Sequence, residues 1–326
     1  MRDLRRLPKA HLHVHLEGAM RPSTLHEIAT EAGIEIPPIR GFGTFSAFSG
    51  MYVAACATLT SADALARLTR EVIEDAANHG ATWVEPAVYL PHHRERIGAP
   101  PETLEIILGA AADAARAHDI GVGLVVAADR TVDPADAVEQ ATLAVKYAGR
   151  GVVAFGLAND EVGFPPEPFA DAFAIAREGG LLLVPHAGEL EGPASVRGAL
   201  DALGADRIQH GVRAIEDPAL VQRLADSPVC LDVCPTSNLM LAVVADMQSH
   251  PLPALLAAGV RCSLNSDDPL LFGPNLLEEY ELVRSAFAFD DATLAHIATC
   301  SIDASGAPAG VKQRTRAGIA SWLAAG

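Results

Sequence analysis

Short runs of β-branched and apolar residues alternate, from one end of the chain to the other, with longer stretches whose apolar residues return every three or four positions. The short runs predict strands at residues 10–16, 82–90, 121–128, 152–157, 181–186, 207–210, 229–233 and 260–264. Between them the spacing is helical, as in Leu65, Leu68, Val72, Ile73 and Ala76. Asp133-Pro134 and Asp217-Pro218 each place an N-capping acid before a proline at the first helical position. Gly179-Gly180 and Gly259 supply stops ahead of the next strand. Eight strands separated by helices point to a parallel sheet, either closed into a barrel or open and doubly wound. An open dinucleotide-binding sheet would carry GxGxxG after its first strand, and this chain has none. The expected fold is therefore α/β, a (β/α)8 TIM barrel occupying residues 1–326 as a single domain, with a helical insertion after the first strand. Within that insertion, residues 36–50 (IPPIRGFGTFSAFSG) read as an irregular cover over one barrel mouth, long enough to form a lid.

Polar residues fall at unusual places in this pattern. The first strand reads Ala-His-Leu-His-Val-His-Leu-Glu-Gly, and alternation predicts that His11, His13 and His15 share one face while Leu12, Val14 and Leu16 fill the other. Buried imidazoles so close together are costly unless something coordinates or hydrogen-bonds them. Downstream, His186 and Glu189 end the fifth strand, His210 ends the sixth, and Asp267 and Asp268 follow the eighth. The C-terminal ends of barrel strands are where such folds build their active sites. A catalytic zinc takes three or four N/O ligands and leaves room for a water. His13 and His15 reach one ion from positions i and i+2. His186 and Asp267 arrive from the fifth and eighth strands, the eighth lying next to the first on closure. Glu189 and His210 remain: His210 is suited to take a proton from the water, and Glu189 to give one to the substrate if a closed pocket keeps it protonated. Asp268 is placed to hydrogen-bond substrate.

Composition narrows the partners. The 24 basic and 41 acidic residues give a net charge of −17, a surface that repels phosphate backbones and anionic lipid, so neither nucleic acid nor membrane is an expected partner. The five cysteines, Cys56, Cys230, Cys234, Cys262 and Cys300, contain no CxxC pair and read as reduced core residues of a cytoplasmic protein. The start MRDLRRLPKAH has charge but no apolar segment behind it, so no signal peptide is expected, and no apolar run approaches the length of a membrane span. Nothing in the pattern speaks to oligomeric state.

LPKAHLHVHLEGAMRP (7–22), HAGE (186–189), QHGVR (209–213), CPTSN (234–238) and LNSDDP (264–269) together resemble the adenosine/adenine deaminase branch of the amidohydrolase superfamily, the metallo-dependent hydrolases, over nearly the whole chain. The resemblance implies a zinc-bearing (β/α)8 barrel that converts the 6-amino group of a purine to 6-oxo and releases ammonia. It implies zinc held by His13, His15, His186 and Asp267, with Glu189 protonating purine N1, His210 orienting and deprotonating the water, and Asp268 holding N7. His15, Glu17, Asn159 and Asp268 are the implied substrate contacts. Glu17 stands where adenosine deaminases commonly carry an aspartate near the sugar, and Asn159 where they commonly carry a glycine. VGFPPEPF (162–169) is closer to adenine deaminases, while GLANDE (156–161), VPHAGEL and DDPLLFG are similar to relatives proposed to deaminate 6-aminodeoxyfutalosine. The first expected substrate is an adenosine-type nucleoside, with 6-aminodeoxyfutalosine and adenine as alternatives. Another mononuclear amidohydrolase and a non-catalytic purine-binding protein are the rival classes.

Only three lysines occur (Lys9, Lys146, Lys312) and none lies in 152–157, so a binuclear site bridged by a modified lysine there is not expected. One zinc is expected, although a His3Asp set accepts other divalent ions. His15-Leu16-Glu17 also matches half of the cytidine-deaminase signature. That signature requires PCxxC, whereas here three residues separate Cys230 from Cys234, and we reject it.

Overall fold

The computed structural model describes residues 1–36 and 42–325. Eight parallel strands, β1 (Lys9–His15), β2 (Ala81–Val88), β3 (Leu124–Asp129), β4 (Val152–Ala158), β5 (Leu182–Ala187), β6 (Arg207–His210), β7 (Cys230–Val233) and β8 (Arg261–Leu264), pair in sequence order. The ring closes where Asp267 lies beside Val14: the His15 amide donates to the Asp267 carbonyl at 3.0 Å and the Asp267 amide to the His13 carbonyl at 3.1 Å. Helices cover the outside, so the strands are buried on both faces, apolar towards the helices and with polar side chains concentrated inside the barrel. The (β/α)8 expectation holds. The third predicted strand is divided, a two-residue segment Gly121–Val122 preceding β3 and pairing with β2. Gly123 sits at the break, where a Cβ would lie 2.5 Å from Val153.

The predicted N-caps form, with Asp133 accepting from the Ala135 amide and Asp217 from the amides of Ala219 and Leu220. Two expectations are corrected. The helical insertion expected after the first strand is present, and its helix Phe45–Ala57, N-capped by Thr44, takes in residues 45–50 of the stretch read as irregular; its Phe48 stacks on Phe272 at 5.0 Å. Glycine and serine gave the segment a loop-like composition, and packing on the barrel mouth overrides that local preference. Residues 37–41 of that stretch lie outside the described residues. The second correction concerns β1, which does not alternate strictly. Its register against β2 slips between His11 and Val14, and the Asn265 side-chain oxygen accepts both the Leu12 amide (2.7 Å) and the His13 amide (3.0 Å). This bulge shifts the phase of the strand. His11 joins Val14 against an outer cavity, bonded to the Ser266 hydroxyl at 2.9 Å, while His13 and His15 turn to the barrel mouth.

Below the mouth the interior is ionic. Arg207 bridges Glu85 (2.7 Å) and Asp232 (2.9 Å), and Ser263 links Asp232 to Asn265, the residue that holds the bulge. Lys9 is fully buried, donating to the carbonyls of Leu4 and His79, both at 3.0 Å. Burial, opposed by Asp3, pushes its amine down from 10.5 to about 7. Two carbonyl acceptors need only the two hydrogens of a neutral amine. Between pH 7 and 10.5 the unfolded chain then holds a proton that the folded chain lacks, so stability rises with pH across that window. In urea melts, wild type should gain up to about 1.4 kcal/mol per pH unit relative to Lys9→Met between pH 7 and 9; parallel profiles would contradict this. Among the described residues no helix is long and apolar enough to cross a membrane.

Candidate active site

Four donor atoms meet at the C-terminal end of the barrel. His13 Nε2 lies 3.1 Å from His186 Nε2 and 3.1 Å from Asp267 Oδ1, and His15 Nε2 lies 3.3 Å from each of the same two atoms. A tetrahedron with ligand bonds of 2.0–2.1 Å has edges of about 3.3 Å, so this spacing is that of donors sharing one cation. The far nitrogens agree. His13 Nδ1 faces the Asp232 carbonyl at 3.1 Å and His186 Nδ1 the Leu157 carbonyl at 2.9 Å. A carbonyl only accepts, so each Nδ1 carries the proton and each Nε2 presents its lone pair to the cluster. The residues present fit a divalent metal.

Glu189, His210 and Asp268 border the same pocket. His210 Nε2 is 3.4 Å from Glu189 Oε1 and 3.7 Å from Asp267 Oδ2, beside the donor cluster. Burial and the neighbouring Asp267 charge push both Glu189 and Asp268 well above the ordinary carboxyl range, which favours their protonated forms. Among the described residues Asp268 Oδ1 has no hydrogen-bond partner, and it lies so close to Gly18 that a Cβ there would come within 1.6 Å. Among the described residues six non-glycine residues have positive φ, and three of them, Asn159 (80°), His210 (67°) and Asp267 (60°), stand around this pocket. Such backbone strain persists where surrounding contacts over-determine it, commonly at functional sites.

Glu17 departs from expectation. It is fully buried and does not line the pocket, because Tyr52 Oη (2.7 Å) and His93 Nε2 (2.6 Å) occupy its two oxygens. It sits one layer back, latching the Phe45–Ala57 helix to the barrel. Asn159 does line the pocket, but its amide donates to Asp129 Oδ2 at 2.8 Å. Asp129, Tyr52 and Glu161 were not singled out by the sequence pattern. The buried Glu161 carboxylate accepts the successive amides of Gly188, Glu189, Leu190 and Glu191 and the Ser195 hydroxyl, shaping the loop that carries Glu189. Its place in GLANDE was the available signal, but an acid followed by a loop gives no sign of which amides it meets.

A closed β/α barrel with three imidazoles and a carboxylate converging on its strand ends defines a metal-dependent hydrolase. The family model described as adenosine deaminase matches residues 8–322. A putative adenosine/adenine deaminase from Streptomyces coelicolor is 46% identical, covering 100% of this chain and 99% of that protein. The crystal structure of an adenine deaminase from Arthrobacter aurescens superposes with a TM-score of 0.91 at 31% identity, over 98% of this chain and 99% of that one. An amidohydrolase from Burkholderia ambifaria with bound Zn gives 0.89 at 30% identity, over 98% and 91%. This chain belongs to the adenosine deaminase family, and it is a hydrolytic purine deaminase acting on a small-molecule substrate.

Proposed function

We propose that the chain acts as one domain with a single zinc ion held by His13, His15, His186 and Asp267, and that it deaminates a 6-aminopurine, a bare adenine-type base before a nucleoside. When bound, the ion would supply a water already stripped of one proton. The observation that carries the reading is the pair of buried carboxyls, Glu189 and Asp268, lining one pocket: purine N1 and N7 are both acceptors on either side of C6, and each carboxyl, pushed above its ordinary range, can meet one of them as a donor. Glu189 gives its proton to N1 as oxygen attacks C6, and Asp268 holds N7. The Glu189 carboxylate then takes the proton of the new C6 hydroxyl and passes it to the amino group, which leaves as ammonia. Loss of a proton from the next water restores the acid. His210 faces and orients the attacking oxygen.

Two features favour the base over the nucleoside expected first. The pocket has a volume of about 100 Å3, against roughly 300–1,000 Å3 for sites of drug-sized ligands. Asp129, buried in the pocket wall, accepts from Thr131 through Oδ1 and from Asn159 through Oδ2, and the second lone pair of Oδ2 is the acceptor left for an N9–H, which only a free base carries. Among the described residues no lysine or arginine lines the pocket, while Asp129, Glu189, Asp267 and Asp268 do, which disfavours a nucleotide phosphate.

The test is kcat/KM for adenine, adenosine, deoxyadenosine, methylthioadenosine, S-adenosylhomocysteine and 6-aminodeoxyfutalosine. Adenine should lead; a higher value for any N9-substituted compound would overturn the base preference, and no ammonia from any of the six would overturn the deaminase assignment. Asn159→Gly should fold normally, since glycine accepts φ of 80° freely. By releasing Asp129 it should narrow the adenine-to-adenosine ratio by about tenfold. An unchanged ratio would remove Asn159 from specificity.

A further inference from the structure

Behind His210 runs a buried chain of hydrogen bonds with a fixed direction. The Leu252 amide donates to His250 Nδ1 at 3.1 Å. His250 Nε2 lies 3.2 Å from Asn238 Oδ1, and Asn238 Nδ2 lies 3.3 Å from His210 Nδ1. Asn238, His210, His250 and Leu252 are all at most 3% exposed, so water does not compete for these bonds.

The polarity follows from the one member that has no choice. A backbone N–H can only donate, and that of Leu252, in the first turn of the helix Leu252–Ala257, has no carbonyl of its own helix to meet. His250 Nδ1 must therefore be a bare acceptor, which puts the hydrogen of a neutral imidazole on Nε2. That N–H needs an acceptor, so Asn238 turns its oxygen to His250 and its NH2 to His210. Rotating the amide by 180° would set N–H against N–H at His250. Since NH2 can only donate, His210 Nδ1 is an acceptor too, and the hydrogen of its neutral ring sits on Nε2, the atom facing Glu189 and Asp267.

From this the geometry points to Asn238 and His250 as positioning residues that hold His210 in the Nε2–H tautomer, so that His210 donates a hydrogen bond to the attacking oxygen and does not take a proton from it. The inference rests on the deaminase reading for the identity of that oxygen, but the tautomer itself does not. It replaces the proton-accepting role that the family resemblance implies. As a base, His210 would need a bare Nε2 and a hydrogen on Nδ1, pointed at the Asn238 NH2. As a donor aimed where negative charge develops on oxygen, it costs no reorganisation during reaction.

Long-range 1H–15N correlation spectra of zinc-loaded protein labelled with 15N-histidine read the tautomers directly, with His210→Gln and His250→Gln used to assign the signals. Pyridine-type Nδ1 and pyrrole-type Nε2 are expected at both His210 and His250; a protonated Nδ1 at His210 would overturn the proposal. Asn238→Asp presents acceptors on both sides and should move the hydrogen of His210 to Nδ1. It should lower kcat on the order of 100-fold, the cost of one lost oxyanion donor, while KM changes little and zinc content is kept. His250→Phe fills the space without the polarity and should leave His210 as a mixture of tautomers. An unaltered His210 spectrum in both variants would overturn the relay. Should the protein turn over no aminopurine at all, the deaminase reading would fail while the spectra still decide the tautomer.

Discussion

Glu189→Gln should keep its full complement of metal and lose about 10³-fold in kcat, within the range expected for a general acid. Glutamine matches the size of the residue and can still donate a hydrogen bond to N1, but it cannot surrender a proton there. The loop will not move, because Glu161 grips it through the amides of residues 188–191 and not through the Glu189 side chain. The comparison therefore isolates the proton, with metal content by mass spectrometry and steady-state kinetics as the two readouts. Near-wild-type turnover would refute N1 protonation by Glu189. The same role predicts the sign of the pH profile: the acid form is the active one, so kcat falls as pH rises through the raised Glu189 value.

Asp267→Asn should weaken metal binding by more than about 100-fold, beyond the 10–100-fold typical of losing an outer partner, and activity should fall with it. Asparagine tolerates the left-handed backbone at φ 60°, and barrel closure runs through the main chain of Asp267, so the fold should survive. The change removes the anionic oxygen that lies 3.1 and 3.3 Å from the His13 and His15 nitrogens. Asp267→Ala removes the ligand entirely and should bind still less. Unaltered metal content in both variants would contradict Asp267 as a ligand, whatever happens to turnover.

The two variants probe parts of the site that differ in how openly the chain declares them. His13 and His15 at alternate positions of an apolar run, and His186 and Asp267 at the ends of two others, are legible because strand periodicity and barrel closure are enough to bring them together. His11 was misread by the same rule. The residue that breaks the alternation, Asn265, lies 253 positions from the amide of Leu12 that it binds. Glu17 sits next to the histidine motif in sequence, yet it serves Tyr52 and His93 and not the pocket.

The sequence by itself determined the eight-strand alternation, the capping acids ahead of Pro134 and Pro218, and the strand-end placement of the histidines and acids, because each follows from periodicities and chemistry contained within a few residues. Only the tertiary structure decided which way β1 turns after its bulge, where in the insertion after β1 the helix begins, which amides Glu161 gathers, and which groups face the two nitrogens of His210. Those outcomes depend on pairing donors with acceptors far apart in the chain. Closing the barrel is what buries them together and forces each one to find a partner.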